Sequence, residues 1–144
     1  MIRRYGERVD PAQRYRLRPG VYAILPRGDA LLLTFQQDPL PEVQLPGGGI
    51  DPGEHPIPAL HREVYEETGW LIGQPRRLGA YRRFTYMPEY DRWAEKLCQV
   101  WVATPTRCLG PPTEAGHTAV WAGMEESLTL IENEGERDFL RRWL

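Results

Sequence analysis

Gly48-Gly49-Ile50-Asp51-Pro52-Gly53-Glu54, followed after seven residues by Arg62-Glu63-Val64-Tyr65-Glu66-Glu67-Thr68-Gly69-Trp70, is the stretch on which the reading of this chain turns. It joins a glycine-rich turn to a run of carboxylates and one guanidinium. Gly47, Gly48 and Gly49 permit close backbone approaches that side chains would block. His55-Pro56-Ile57-Pro58 suits a helix entrance, because a first turn does not need the amide that proline lacks. The regular helix is expected from about Pro58, with Gly69 as its stop.

On that helix Glu63, Glu66 and Glu67 stand at i, i+3 and i+4, so their carboxylates share one arc of about 100°. Leu60 and Val64 lie beside the arc and can pack on a sheet. Like charges at this spacing cost a helix about 0.2 to 0.5 kcal/mol per pair when nothing compensates them. An arbitrary acidic triplet would be read as a solvated face. The glycine turn, Glu54 and Arg62 at set distances argue for a built site instead, with oxygen ligands of the kind that hard divalent cations such as Mg²⁺ favour.

Outward from this unit the chain is β-rich. Val21 to Pro26 and Ala30 to Phe35 form a hairpin signal around Arg27-Gly28-Asp29. Residues 1–19, with Arg3, Arg4, Arg8, Arg14, Arg16 and Arg18, read as an N-terminal edge strand or arm, and the core is expected to begin at Gly20. Gln37 to Pro46, with three prolines, reads as a loop into the glycines rather than a paired strand. Arg77 to Tyr86 and Ala94 to Ala103 read as strands flanking a loop dense in aromatics, Tyr86 to Trp93. That loop is either a stacking platform for a nucleobase, with Arg82, Arg83 or Arg92 on phosphate, or a loop pinned by its own aromatics.

Leu109 to Gly116 is a Pro- and Gly-rich connection carrying Glu114. His117, just after it, reads as a hydrogen-bonded strand residue rather than a catalyst, and Thr118 to Ala122 as a short strand. Glu125 and Glu126 suit the N-terminus of a helix over 124–132. Phe139, Leu140, Trp143 and Leu144 recur at helical spacing, giving a terminal helix over 136–144 docked on the core or on a second subunit, so a homodimer is an open expectation.

Composition narrows the function classes. The 144 residues suffice for one domain, and 41% apolar residues with five Trp argue for a folded globule. No run of 18 apolar residues exists, so no membrane span is expected. The basic N-terminus is not followed by an apolar stretch, so a cytoplasmic location is expected. Cys98 and Cys108 read as reduced thiols. A net charge of −2 disfavours a nucleic-acid-coating protein, while small anionic substrates remain open to a local basic patch.

Gly48, five residues, Glu54, seven residues and Arg62-Glu63-Val64-Tyr65-Glu66-Glu67-Thr68-Gly69 resemble the Nudix box, the signature of the Nudix hydrolases. Every fixed position is present. Trp70 stands where that family usually carries an aliphatic residue, at a packing position. The resemblance implies an α+β fold, a Nudix-type α/β/α sandwich with a central mixed β-sheet. The box helix would lie on one side and the C-terminal helices on the other, in a single domain over 1–144. It also implies roles. Glu63, Glu66 and Glu67, with the Gly48 carbonyl, would hold Mg²⁺, with Mn²⁺ as a substitute; Arg62 and Glu54 would brace loop against helix. Glu114, with Glu125 behind it, is the candidate for a further glutamate from a later loop. The implied reaction is hydrolysis of the pyrophosphate linkage of a nucleoside diphosphate derivative, with a box glutamate or Glu114 as base.

Tyr86 falls sixteen residues after Trp70, as in the dinucleoside polyphosphate hydrolase branch, whereas the ADP-ribose branch tends to carry a proline where Thr85 stands here. A dinucleoside polyphosphate or a nucleoside triphosphate is therefore the expected substrate, with Arg82, Phe84, Tyr86, Tyr90 and Trp93 as candidate contacts. The alternatives are an RNA 5′ pyrophosphohydrolase, which the charge balance disfavours, a non-enzymatic nucleotide-binding regulator on the same fold, and a protein-interaction module built on the aromatic loop and last helix. No box carboxylate is missing, which favours the enzyme.

Overall fold

Apolar residues alternate along the central strands, and this alternation lets one strand layer serve two helix-covered faces. The computed structural model describes residues 2–144; Met1 of the expected N-terminal arm lies outside the described residues. The elements are β1 (Arg3–Gly6), β2 (Arg16–Ile24), β3 (Pro26–Arg27), β4 (Ala30–Gln36), β5 (Glu42–Gln44), β6 (Gly47–Gly49) and α1 (Pro56–Thr68). They continue with β7 (Trp70–Met87), β8 (Arg92–Cys108), β9 (His117–Gly123), α2 (Met124–Leu130) and α3 (Glu134–Trp143). A five-stranded mixed sheet has the order β1-β7-β8-β2-β6, with β1 parallel to β7 and β2 parallel to β8. A second, antiparallel sheet is centred on β4, which pairs with β9 along one edge and with β3 and β5 on the other.

Val21, Ala23 and Leu25, with Leu32, Ile72 and Trp101, pack on Ala59, Leu60 and Val64 of α1. Their immediate neighbours in sequence point the other way: Ile24, Leu31 and Leu33 join Tyr81, Val100, Ile131, Phe139 and Leu140 beneath the C-terminal helices. The result is the expected α+β sandwich, helix α1 on one side and α2 and α3 on the other. Of the two berths expected for the terminal helix, α3 occupies the core: Phe139 packs on Tyr81 and the Tyr5 hydroxyl donates to Asp138 at 2.5 Å. Among the described residues no helix is long and apolar enough to cross a membrane.

Several boundaries differ from the sequence expectation. Helix α1 begins at Pro56 rather than Pro58, because both prolines fit the first turn. The expected hairpin reverses at Gly28 (φ 58°), but its first arm is broken at Leu25: β2 belongs to the five-stranded sheet and β3 to the other. Strand β2 starts at Arg16, ahead of the expected core boundary, and pairs with β8 over its whole length. Within the expected loop 37–46, Glu42–Gln44 does pair with β4, since the prolines flank that triplet instead of interrupting it. The glycines at 47–49 form strand β6 against β2. Strands β7 and β8 are far longer than expected, with irregularities at 71/72, 73/76 and 77/79 that carry the ladder past Gln74 (φ 51°) and Pro75.

Candidate active site

Arg62 organises the acidic helix. Its Nε and Nη2 donate to the two oxygens of Glu54 at 2.9 and 2.8 Å, a bidentate fork. Nη2 also donates to the Gly49 carbonyl at 3.0 Å, and Nη1 to Glu63 at 3.0 Å and Glu66 at 3.4 Å. One planar side chain thus ties the 49–54 turn to α1 and offsets part of the repulsion along the acidic face. Hydrogen bonds from Arg62 and from the Asp51 amide hold the Glu54 carboxyl down to about 2. Burial pushes Glu63 up to about 7 in spite of Arg62, and drives Glu67 well above the carboxylate range in spite of the Gly47 amide, which donates to it at 3.0 Å.

The C-terminus of α1 recruits the later segments, because its last carbonyls have no partner within the helix. The Tyr65 carbonyl accepts from the amide of Gly69 (φ 78°) at 2.8 Å. The Glu66 carbonyl accepts from the amides of Thr113 and Glu114, both at 2.9 Å, and the Glu67 carbonyl from the Thr34 hydroxyl at 3.3 Å. The Gly69 carbonyl accepts from Leu109 at 2.9 Å. Glu114 is thereby delivered beside the box. Ligand atoms of Glu63, Glu66 and Glu114 lie within 4.8 Å of one another, as do those of Glu67, Glu114 and His117. Gly48 sits against Glu63 so closely that an added Cβ would lie 2.5 Å from its carboxyl. Glu125, by contrast, is an exposed residue of the first turn of α2.

Glu63, Glu67, Glu114, His117 and the glycines at 47–49 open into a cleft of about 890 Å³ that also contains Arg18, Tyr22, Tyr81, Arg83, Tyr86, Tyr90, Lys96, Asn133 and Glu136. Of the expected substrate contacts, Tyr86 and Tyr90 line this cleft; Arg82, Phe84 and Trp93 do not. The reason is strand periodicity: Tyr81, Arg83 and Thr85 face the cleft, so Arg82 and Phe84 point to the other side of β7. Arg82 instead borders a separate cavity with Arg3, Tyr5 and Asp138. Phe84 is buried edge-on to Tyr15, and Trp93 packs edge-on to Tyr15 and tilted against Tyr86. The aromatic loop therefore divides, with Trp93 pinning it and Tyr90, under the Arg18 guanidinium at 4.9 Å, left exposed at the rim. Trp70 packs edge-on to Trp121 beneath Arg27.

Sequence reasoning missed Tyr22, Asn133 and Glu136 at the inner wall. Glu136 is fully buried, accepts from the Leu45 amide at 2.5 Å, and is pushed up to about 8 by that burial. The Gly47 amide, two residues on, holds Glu67, so one extended segment carries two buried carboxyls into the same cleft. No local signal marks Glu136, which reads as an ordinary first-turn helix glutamate.

Comparison with known proteins agrees with this geometry. A 32% identical relative over 101 residues is an 8-oxo-(d)GTP phosphatase of Mycolicibacterium smegmatis, matching 69% of this chain and 29% of that protein. A Bacillus subtilis protein described as a putative 8-oxo-dGTP diphosphatase is 33% identical over 49% of this chain and 47% of its own length. An RNA pyrophosphohydrolase of Cereibacter sphaeroides is 44% identical over 36% of this chain and 33% of its own. The matched stretches thus span less than half the length of these curated relatives. Among solved structures, a NUDIX hydrolase from Nitrosomonas europaea superposes with a TM-score of 0.73 at 19% identity, covering 89% of this chain and 88% of that one. A MutT protein from Bacillus halodurans gives 0.70 at 21% identity, covering 86% and 80%. These likenesses carry the fold. The family model described as the NUDIX domain matches residues 15–143, and with the complete box assembled around Arg62 the chain belongs to the NUDIX family.

Proposed function

We propose that this chain hydrolyses the pyrophosphate linkage of a nucleoside diphosphate derivative, with a nucleoside triphosphate as the preferred substrate class, in a reaction that depends on Mg²⁺ or Mn²⁺. The observation that carries the reading is the convergence of Glu63, Glu67 and Glu114 with the Gly48 turn on one cleft, with a Glu66 oxygen within 4.8 Å of those of Glu63 and Glu114. The donors fit a divalent cation. They are oxygen ligands, and Arg62, which pairs with Glu54, Glu63 and Glu66, offsets only part of the burial of Glu63 and makes no hydrogen bond to the buried Glu67.

Glu63, Glu66, Glu67 and Glu114 would hold the metal. Bound there, it would supply charge neutralisation for the pyrophosphate oxygens and a more acidic water. The chain's own residues do the rest. Arg62 and Glu54 fix the turn that carries Gly48, and a box carboxylate or Glu114 accepts the proton of the attacking water. Arg83, Lys96 and Arg18 supply positive charge along the cleft for the remaining phosphates. Tyr90 at the rim and Tyr22, Asn133 and Glu136 at the inner wall receive the nucleoside. One such wall suits one base better than two. The names of the two 8-oxo-guanine nucleotide relatives support a purine triphosphate within this class.

The test is a panel of nucleoside triphosphates, oxidised purine triphosphates, dinucleoside polyphosphates and triphosphate-ended RNA incubated with Mg²⁺, with products separated. A nucleoside monophosphate and pyrophosphate are expected from the preferred triphosphate. Glu67→Gln should lower turnover at least about a hundredfold with the circular dichroism spectrum unchanged. Full Mg²⁺-dependent turnover in that variant overturns the assignment.

A further inference from the structure

His117 is a cleft residue with a buried side chain that the proposed reaction leaves without a task. It opens β9, and its side chain is 6% exposed, as is that of Glu67. Its Nδ1 lies 2.9 Å from the Thr34 hydroxyl oxygen, and that same hydroxyl lies 3.3 Å from the Glu67 carbonyl. A threonine hydroxyl has one proton to donate. Only one assignment satisfies both contacts: Thr34 donates to the Glu67 carbonyl and accepts from Nδ1–H of His117. In the neutral imidazole the opposite ring nitrogen, Nε2, then carries the lone pair, and it makes no hydrogen bond among the described residues. Its acidic neighbours are Glu67, with Oε2 at 3.6 Å, and Glu114, with Oε2 at 3.9 Å.

A lone pair facing two acidic oxygens, one on the buried Glu67 and one on the half-exposed Glu114, is unfavourable unless a proton or a cation sits among them. Both separations exceed hydrogen-bond length and match the spacing of donors around one cation, about 3 to 4.2 Å apart when each is about 2.1 Å from the metal. A histidine whose other ring nitrogen is locked by a hydrogen bond is the usual form of a metal-ligating imidazole. We propose that Glu67, Glu114 and His117 form a mixed nitrogen and oxygen position for a first-row divalent cation such as Mn²⁺. It is distinct from the all-oxygen position at Glu63, Glu66 and Glu114, and Glu114 is common to both.

The chemistry of the two positions differs. An imidazole ligand raises affinity for first-row transition metals, whereas Mg²⁺ takes oxygen ligands and keeps part of its water shell. The inner position therefore favours Mn²⁺ over Mg²⁺, and the outer one accepts either. This inference rests on the cation-dependent reading of the cleft, and adds to it a nitrogen ligand and a second site.

The experiment is pulsed electron paramagnetic resonance on the full chain labelled with ¹⁵N-histidine and loaded with less than one equivalent of Mn²⁺. A ¹⁵N coupling is expected, and it should vanish in His117→Gln, which leaves His55 and His61 as the only labelled rings. Calorimetric titration provides the second readout. Thr34→Val, which frees the ring to turn, should weaken Mn²⁺ binding about tenfold or more while Mg²⁺ binding changes less than about threefold. Absence of ¹⁵N coupling in the wild type, its survival in His117→Gln, or an equal loss of both metals in Thr34→Val would overturn the proposal. If Mn²⁺ supports turnover without a nitrogen coupling, this inference alone fails. If no divalent cation binds, the hydrolase reading fails with it. Should His117→Gln not fold, the labelled wild-type spectrum and Thr34→Val still decide.

Discussion

Glu136→Gln should stabilise the protein in alkaline solution and leave it nearly unchanged in acid. Burial raises the Glu136 carboxyl from its ordinary value of 4.5 to about 8. The folded chain therefore holds a proton that the unfolded chain releases, and the stability this contributes is full below pH 4.5. It is lost as pH rises from there through about 8. At about 1.4 kcal/mol per pH unit, the wild type can lose about 5 kcal/mol relative to a side chain that does not titrate. The value of about 8 already contains the opposing pull of the Leu45 amide, Arg83 and Lys96; because the cleft admits water, about 2 to 3 kcal/mol is the working figure. Glutamine keeps the oxygen that accepts from the Leu45 amide and has the same shape. The assay is thermal and urea unfolding of both proteins at pH 4.5 and 8.5. For a chain of 144 residues the variant should gain about 8 °C in Tm at pH 8.5 and little at pH 4.5. A difference in Tm that is the same at both pH values, or a variant less stable at pH 8.5, would refute the claim that burial governs this carboxyl.

Three further outcomes follow from close approaches in the site. Gly48→Ala places a Cβ 2.5 Å from the Glu63 carboxyl, the movable end of a side chain, so Tm should change by less than about 3 °C. Its Mg²⁺ affinity by calorimetry should fall about tenfold. Gly69→Ala is different in kind, because φ is 78° and the Cβ would lie 1.9 Å from the Gly110 carbonyl oxygen. A loss of about 2 to 4 kcal/mol in urea unfolding is expected, and wild-type stability would show that the 109–116 loop yields freely. Arg62→Lys keeps the charge but loses the fork that grips Glu54 and the Gly49 carbonyl. Steady-state kinetics should show turnover down by at least about tenfold, with the fold retained by circular dichroism.

How much of the site could be read in advance depended on how local its contacts are. The spacing of Glu54, Arg62, Glu63, Glu66 and Glu67 is a property of one turn and one helix, and the hydrogen bonds of Arg62 follow that spacing. For Glu114 the resemblance points to its loop. What places it beside the box, two amides donating to the Glu66 carbonyl, is a tertiary contact. His117 was read as a hydrogen-bonded strand residue, and its bond to Thr34 agrees; where its second nitrogen points could not be read from neighbours in the chain. Arg82 and Phe84 flank an aromatic loop, but composition does not fix the phase of β7, and that phase decides which side chains meet the cleft.

The sequence by itself determined the family, the acidic helix with its glycine stop and the α+β class, because each rests on fixed spacing or on alternation that a helix or strand translates directly into a face. Only the tertiary structure decided that β2 and β3 belong to different sheets, that Tyr90 rather than Trp93 meets the cleft, and that Glu136 and His117 stand within reach of the box. Those facts depend on which distant segments satisfy the free carbonyls of α1 and the amides of Leu45 and Gly47. Hydrogen bonds between residues far apart in sequence leave no periodic trace in the chain that makes them.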